Sequence, residues 1–416
     1  MSFLQYRNGL LHAENVPLHH LAEAIGTPCF VYSRSALTQA LRDYQLAFGT
    51  QRHLICYAVK ANSNLAILNL FAQMGSGFDI VSGGELARVL AAGGDPAKIV
   101  FSGVGKSLLD MRAALDADVK CFNLESESEL DRLQHVAEMM GKTARISLRV
   151  NPDVDAKSHP YISTGLKENK FGVLITEARA LYRKATTQAN LQVAGVDCHI
   201  GSQITELHPF RDAFARVLAL ADDLARDGIA LEHVDLGGGL GIRYQDEVPP
   251  TPAEFVNVVR QSIGARDLTI LLEPGRSLVG NAGLLLTRVE YLKPSPVRNF
   301  AIMDAAINDL IRPALYEAWH DIWPVEQRAG ESKTWQIVGP VCETGDFLGH
   351  DRALSLHQGD LLAILSAGAY GMSMSSNYNA RPRAAEVMVD GDERHIIRAR
   401  EKVEHLYAGE YLLPQS

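Results

Sequence analysis

The chain has 416 residues, enough for two hydrophobic cores at roughly 150 residues each. With 47% hydrophobic and 21% charged residues it is not a disordered chain, and its net charge of −9 offers no whole-chain footprint for nucleic acid or an anionic membrane. Cys29, Cys56, Cys121, Cys198 and Cys342 are scattered without CxxC spacing, which argues against a disulfide framework or structural zinc and for a reducing compartment. Residues 1–10 carry Gln5, Arg7 and Asn8 where a signal peptide needs an apolar run. No apolar stretch approaches the ~18 residues of a membrane span. The expectation is a soluble, cytoplasmic protein.

In chain order, short β-branched runs alternate with longer helical patterns. Strands are predicted at 54–60, 77–81, 98–102, 119–123, 145–150, 193–199, 233–237 and 269–273. Amphipathic stretches such as 84–92 and 127–140 fall between them, with apolar residues at i, i+3, i+4 and i+7. The strands read as unbroken apolar runs, as expected when both faces are buried in a parallel sheet. Eight such units predict an α/β fold, a (β/α)8 TIM-type barrel over residues 36–276, with an open doubly wound sheet as the alternative. After Arg276 the rhythm changes to runs at 284–292, 300–303, 335–338, 361–365 and 386–389, separated by Gly- and Pro-rich turns. One short helical pattern interrupts them at 314–319. This predicts a C-terminal all-β domain, a β-barrel or sandwich.

Barrel active sites lie at the C-terminal ends of the strands, so the residues there carry the functional reading. Strand 1 ends in YAVKAN (57–62). A lysine after apolar residues in a core strand is expected to be buried, and it then pairs with an acid or becomes a nucleophile. Strand 6 ends in HIGSQ (199–203). A lone His199 is more often a core group, yet a flat imidazole before small Gly201 and Ser202 suits stacking on a ring while a hydroxyl reaches an anion. Strand 7 enters DLGGGLGI (235–242), whose glycines permit backbone N–H groups to close on a phosphate, although a tight turn would read the same. Strand 8 ends in EPGR (273–276), where a buried ionised Glu273 needs a cationic partner. An amine, a stacking ring, a phosphate cradle and a buried carboxylate together complement pyridoxal 5′-phosphate (PLP), whose ring accepts electrons from a substrate's Cα.

With GFDIVSGGEL (77–86), RPALY (312–316), CETGD (342–346) and GAYG (368–371), these motifs are similar over essentially the whole chain to the diaminopimelate decarboxylase family of alanine-racemase-like PLP enzymes. The resemblance implies a PLP-bearing barrel and a β domain, to which residues 1–35 contribute along with 277–416. It implies a homodimer with active sites shared at the subunit interface. The implied reaction is decarboxylation of meso-2,6-diaminopimelate to L-lysine and CO2, the last step of bacterial lysine biosynthesis.

By the same resemblance, Lys60 is the Schiff-base lysine and His199 stacks on the ring. Ser202, Gly238, Gly239, Gly275 and Arg276 bind phosphate, Glu273 faces the pyridine nitrogen, and Asp79 is either an acid near the cofactor or a structural strand-end carboxylate. Arg276, Arg312 and Tyr316 match substrate-binding positions, Tyr370 lies near cofactor and substrate, and Cys342 with Glu343 is donated by the partner subunit. A thiol ordinarily titrates near ~8.5, which suits Cys342 to reprotonate the substrate carbon; the alternative is a buried small hydrophobe. Two arginines aimed at a distal carboxylate, with Glu343 for the distal ammonium, favour diaminopimelate over ornithine. For Arg312 the alternative is a surface salt bridge.

The rivals are a decarboxylase acting on ornithine, arginine or carboxynorspermidine, and a non-catalytic PLP carrier. No metal is expected, because the histidines show no ligand spacing with carboxylates. The loop 153–172, with Lys157, Lys170 and Phe171, reads as an active-site lid or a rigid strap.

Overall fold

The computed structural model describes residues 3–154 and 170–415. The chain divides into two compact units, one of Thr38–Arg243 with Glu247–Leu278, the other of Met1–Leu37, Tyr244–Asp246 and Val279–Ser416.

The first unit is a closed barrel of eight parallel strands: β1 (His53–Ala58), β2 (Gly77–Ile80), β3 (Ile99–Phe101), β4 (Cys121–Leu124), β5 (Ala144–Asn151), β6 (Leu191–Asp197), β7 (His233–Asp235) and β8 (Thr269–Leu272). Each pairs with the next in sequence and β8 returns to β1, Leu271 opposite Leu54. The open-sheet alternative is thereby excluded. Helices α1 (Leu65–Gln73), α2 (Gly83–Ala91), α3 (Leu108–Asp116), α4 (Glu127–Met140), α5 (Ile175–Thr186), α6 (His208–Arg226) and α7 (Pro252–Ile263) connect successive strands. Their starts are set locally: Ser82, Ser107, Ser126 and Thr251 each accept a backbone N–H from the first turn.

Side-chain alternation along the strands explains where the site lies. Leu54 and Cys56, Val100, Cys121, Ala194 and Leu271 form one apolar cluster. Two residues further along their strands, the same face presents Ser102, Asn123 and Glu273. A buried polar layer therefore caps an apolar one. At the level below, His233 Nε2 meets Ser147 Oγ at 3.1 Å, and that hydroxyl meets Cys121 Sγ at 3.2 Å. A side chain at Gly195 would overlap the His233 ring.

The second unit is built on a nine-stranded sheet. Its spine, Gly283–Lys293, pairs with Cys29–Ser33, Asn299–Met303 and Leu361–Ile364. Cys29–Ser33 lies between Gly283–Lys293 and Ala385–Asp390, so an N-terminal strand is central to the C-terminal sheet. Leu18, Leu21, Val31, Leu284, Leu286 and Val387 are among the residues that fill its core. Besides the anticipated runs, strands occur at Leu4–Arg7, Leu10–Ala13, Ile322–Pro324, Phe347–Leu354 and Glu393–Arg398. The expected helix at 314–319 is Arg312–Tyr316. No helix among the described residues is long and apolar enough to cross a membrane.

Candidate active site

Strand β1 stops at Ala58, and Lys60 stands on a single tight turn, Val59–Ala61. This corrects the expectation that strand 1 runs to residue 60 and buries the lysine. The Lys60 side chain is 37% exposed, while its partner Asp79 is fully buried, with Nζ 3.0 Å from Asp79 Oδ2. Asp79 Oδ1 has no partner among the described residues. The turn is held close to strand 8's end: a Cβ at Gly275 would lie 3.1 Å from Ala58 Cβ and 3.2 Å from Ala61 Cβ.

The glycine turn after β7 is required by sterics. Gly237 (φ +65°) and Gly239 (φ +107°) adopt backbone conformations that favour glycine. A side chain at Gly238 would overlap the Glu273 carbonyl, and one at Gly239 would come within 2.5 Å of Gly201 O. Backbone bonds lock these segments together: Glu273 N–H donates to Gly237 O at 2.7 Å and Ile204 N–H to Gly239 O at 2.9 Å. Against the same turn, half-buried His199 accepts the Gly238 N–H on Nδ1 at 3.2 Å. Burial, and then the charges of Arg149 and Lys60, hold its imidazole well below the usual histidine range, so it is neutral at pH 7. Buried Arg276 donates from Nη2 to Ser202 Oγ at 3.1 Å. Lys60, Asp79, His199, Ser202, Gly238, Gly239, Glu273, Gly275 and Arg276 are thus gathered at the C-terminal ends of β1, β2, β6, β7 and β8.

Glu273 itself is buried, with Oε1 accepting at the long distances of 3.4 Å from Ser102 and 3.5 Å from Asn123. No lysine or arginine ion pair reaches it among the described residues. Burial, then Asp235, Asp79 and Asp197, push its carboxyl well above the usual carboxylate range, with Lys60 opposing. The cationic partner anticipated for Glu273 is therefore not found among the described residues. A ligand with a protonatable ring nitrogen would supply it. Together with an amine, and a glycine cradle next to a hydroxyl and a guanidinium, the residues fit PLP.

In the second unit, Arg312 is buried, not part of a surface ion pair: Nη1 donates to Tyr244 Oη at 2.7 Å, and its guanidinium lies 4.7 Å from the Tyr244 ring and 5.8 Å from that of Tyr316. Cys342 is exposed whereas the other four cysteines are buried, so it is not the small core hydrophobe offered as its alternative. Its N–H donates to Asn379 Oδ1 at 2.9 Å, and the turn is braced by Asp346, which accepts from Ile307 and Val341 at 2.8 Å each. Glu343 is exposed beside it. Tyr370 sits at φ +55°, uncommon for a residue with a side chain, between Gly368 and Gly371, where a Cβ would overlap Val279 O and approach Ala367 O at 2.7 Å.

Several polar residues at the rim escaped the sequence reading: Ser102, Asn123, Asp197 and Asp235, and the buried pair Arg149–Glu125 at 3.1 Å. Their signal was a lone polar residue at the end of an apolar run, as in VFS, CFN, GVD and HVD. The Asp197, Asp235 and Glu273 carboxyls offer oxygens within 4.8 Å of one another. At the ends of the 153–172 loop, Gly172 N–H donates to Glu125 Oε2 at 3.0 Å and Phe171 lies 4.9 Å under Arg149. The lid or strap itself, 155–169, lies outside the described residues.

Residues 34–280 match the model of the pyridoxal-dependent decarboxylase pyridoxal-binding domain. The chain is 60% identical over 415 residues to the diaminopimelate decarboxylase of Pseudomonas aeruginosa, covering 100% of both. Among solved structures, that of Helicobacter pylori diaminopimelate decarboxylase complexed with L-lysine superposes with a TM-score of 0.91 at 43% identity, covering 94% of this chain and 98% of that one. The crystal structure of diaminopimelate decarboxylase from M. jannaschi superposes with a TM-score of 0.95 at 37% identity, covering 99% of this chain and 98% of that one.

Proposed function

The chain belongs to the diaminopimelate decarboxylase family of pyridoxal-dependent decarboxylases, and from that membership we propose how its residues convert meso-2,6-diaminopimelate to L-lysine and CO2. The observation that carries the reading is the meeting of the Lys60 amine, the glycine turn with Ser202 and Arg276, neutral His199, and buried Glu273 with no ion-pair partner among the described residues.

Bound there, PLP supplies an aldehyde that captures an α-amino group and a ring that takes up the electron pair left by CO2. Lys60 holds the cofactor and Asp79 fixes the position of Nζ. Ser202, Gly238, Gly239, Gly275 and Arg276 bind the phosphate, the glycines allowing close backbone approach. The His199 imidazole covers one ring face, its orientation set by the Gly238 N–H. Glu273 holds a proton at the ring nitrogen, in a buried setting where the interaction is little screened. Cys342 delivers a proton to the substrate carbon after CO2 leaves. Arg276 and Arg312 bind the distal carboxylate, with Tyr316 and Tyr370 lining the substrate and Glu343 taking the distal ammonium.

The exposure of Cys342 and Glu343 supports their service to a partner subunit in a homodimer with shared sites. Four buried, unpaired cysteines support residence in the cytoplasm. Residues 36–276 form the PLP-binding part, and 1–35 with 277–416 the β part that supplies substrate-binding residues.

Purified protein with added PLP is expected to release CO2 and L-lysine from meso-diaminopimelate. Faster turnover of ornithine or arginine would overturn the substrate assignment.

A further inference from the structure

Asp235, at the end of β7, has no role in the scheme above, yet it is completely buried beneath the rim beside Asp197 and Glu273. Among the described residues, the cations that act on this trio include Lys60 and Arg149, each engaged with another acid, Lys60 with Asp79 at 3.0 Å and Arg149 with Glu125 at 3.1 Å. Like charges this close in a buried setting are little screened and repel one another strongly. Burial and mutual repulsion push all three carboxyls up from the ordinary carboxylate range, which favours a proton kept within the cluster.

Backbone geometry links Asp235 to Glu273 through Gly237. Oδ1 accepts the Gly237 N–H at 3.0 Å, which fixes the plane of the carboxyl. Oδ2 has no hydrogen-bond partner among the described residues, and Asp235 and Glu273 offer oxygens within 4.8 Å of each other. A proton shared between the two carboxyls satisfies both. The same Gly237 offers its carbonyl to Glu273 N–H. Asp235 is thus tied to the glycine turn by one oxygen, while the other has no partner among the described residues and belongs to the cluster that includes Glu273.

We propose that Asp235 is a positioning residue that shares one proton with Glu273, steadying the carboxylate that meets the cofactor's ring nitrogen and coupling it to the phosphate-binding turn. The proposal rests on the reading of Glu273 as the ring-nitrogen partner. The titratable and charged groups electrostatically linked to Asp235, Asp197 and Glu273 include Cys56 on β1 and Lys60 after it, Asp79 on β2, Cys121 on β4, Arg149 on β5 and Cys198 after β6. Burial pushes all three thiols up, so they stay neutral and do not compete for the charge.

The test is binding of pyridoxine 5′-phosphate to cofactor-stripped protein, wild type and Asp235→Asn, from pH 6.5 to 9. This probe keeps the ring nitrogen and phosphate but lacks the aldehyde, so Lys60 chemistry does not intervene. Asparagine can still accept from Gly237 and donate to Glu273, but cannot titrate. In the wild type the shared proton is present at low pH and lost as pH rises, so binding must take it up again and affinity falls. The variant lacks that dependence, and the wild-type/variant ratio of dissociation constants should rise about tenfold or more across the range. Superimposable profiles would overturn the proposal, because a merely structural Asp235 moves affinity without a pH signature. If Asp235→Asn does not fold, calorimetry of the wild type in two buffers at pH 9 decides: uptake of one proton beyond the probe's own supports the sharing, and none overturns it. A wild type that binds neither PLP nor the probe would contradict the site reading itself and the proposal with it. A wild type that binds both while the profiles coincide would contradict only the proton sharing.

Discussion

Lys60 stands where a buried strand gives way to a single tight turn, and its ammonium is pinned by an acid that is itself fully buried. Replacing Lys60 with alanine should abolish the visible absorbance of the protein reconstituted with PLP and reduce turnover by at least about 10³-fold; a yellow, active variant would contradict the assignment. The exposed thiol of Cys342 offers a second residue-level check. Cys342→Ala should lower kcat by about 10²-fold while PLP stays bound, as expected for loss of a proton donor; loss of the cofactor would make the residue structural instead. At this scale the motifs displayed Lys60, His199 and Glu273 because each closes an apolar run. Asp197, Asp235 and Asn123 close such runs too, but nothing in a single run shows that Asp197, Asp235 and Glu273, from different strands, converge. The burial of Arg312 was equally hidden, since Tyr244, which accepts its hydrogen bond, lies 68 residues earlier.

The glycine turn after β7 and the polar floor beneath it are where element geometry becomes chemistry. Gly238→Ala would drive a methyl into the Glu273 carbonyl and shift both segments. We expect its affinity for PLP to fall at least about tenfold in an absorbance titration; unchanged affinity would show that the turn does not form the cradle. Below the rim, burial holds His233 down to about 3, from the ordinary histidine value near ~6.5. A histidine depressed on folding contributes stability that is present above ~6.5 and lost as pH falls toward 3. His233→Gln should therefore show a smaller loss of Tm between pH 7 and pH 4 than the wild type. Equal losses would mean that other groups govern acid unfolding. The barrel elements were legible because each strand is a local apolar run and five of the seven helices start at a local side-chain cap. Strands Phe347–Leu354 and Glu393–Arg398 were not, since their alternation is broken by His350, Asp351, Arg394 and His395.

Across the whole molecule the long-range pairings were the least visible feature. Cys29–Ser33 enters a sheet whose other strands lie more than 250 residues later, and no short window of sequence encodes that register. Likewise nothing in the pattern sets Tyr244–Asp246 apart from the barrel sequence around it, although it groups with the β unit. Shared sites in a homodimer make a prediction that no single subunit can meet. Mixing inactive Lys60→Ala chains with Cys342→Ala chains should restore up to about a quarter of wild-type activity through hybrid dimers carrying one intact site; no recovery after verified subunit exchange would place each site within one subunit. The most direct measurement is reduction of the PLP-loaded protein with borohydride followed by peptide mass spectrometry. A pyridoxyl group on Lys60 alone is the predicted result; an unmodified Lys60 peptide, or the label on another lysine, would contradict the account.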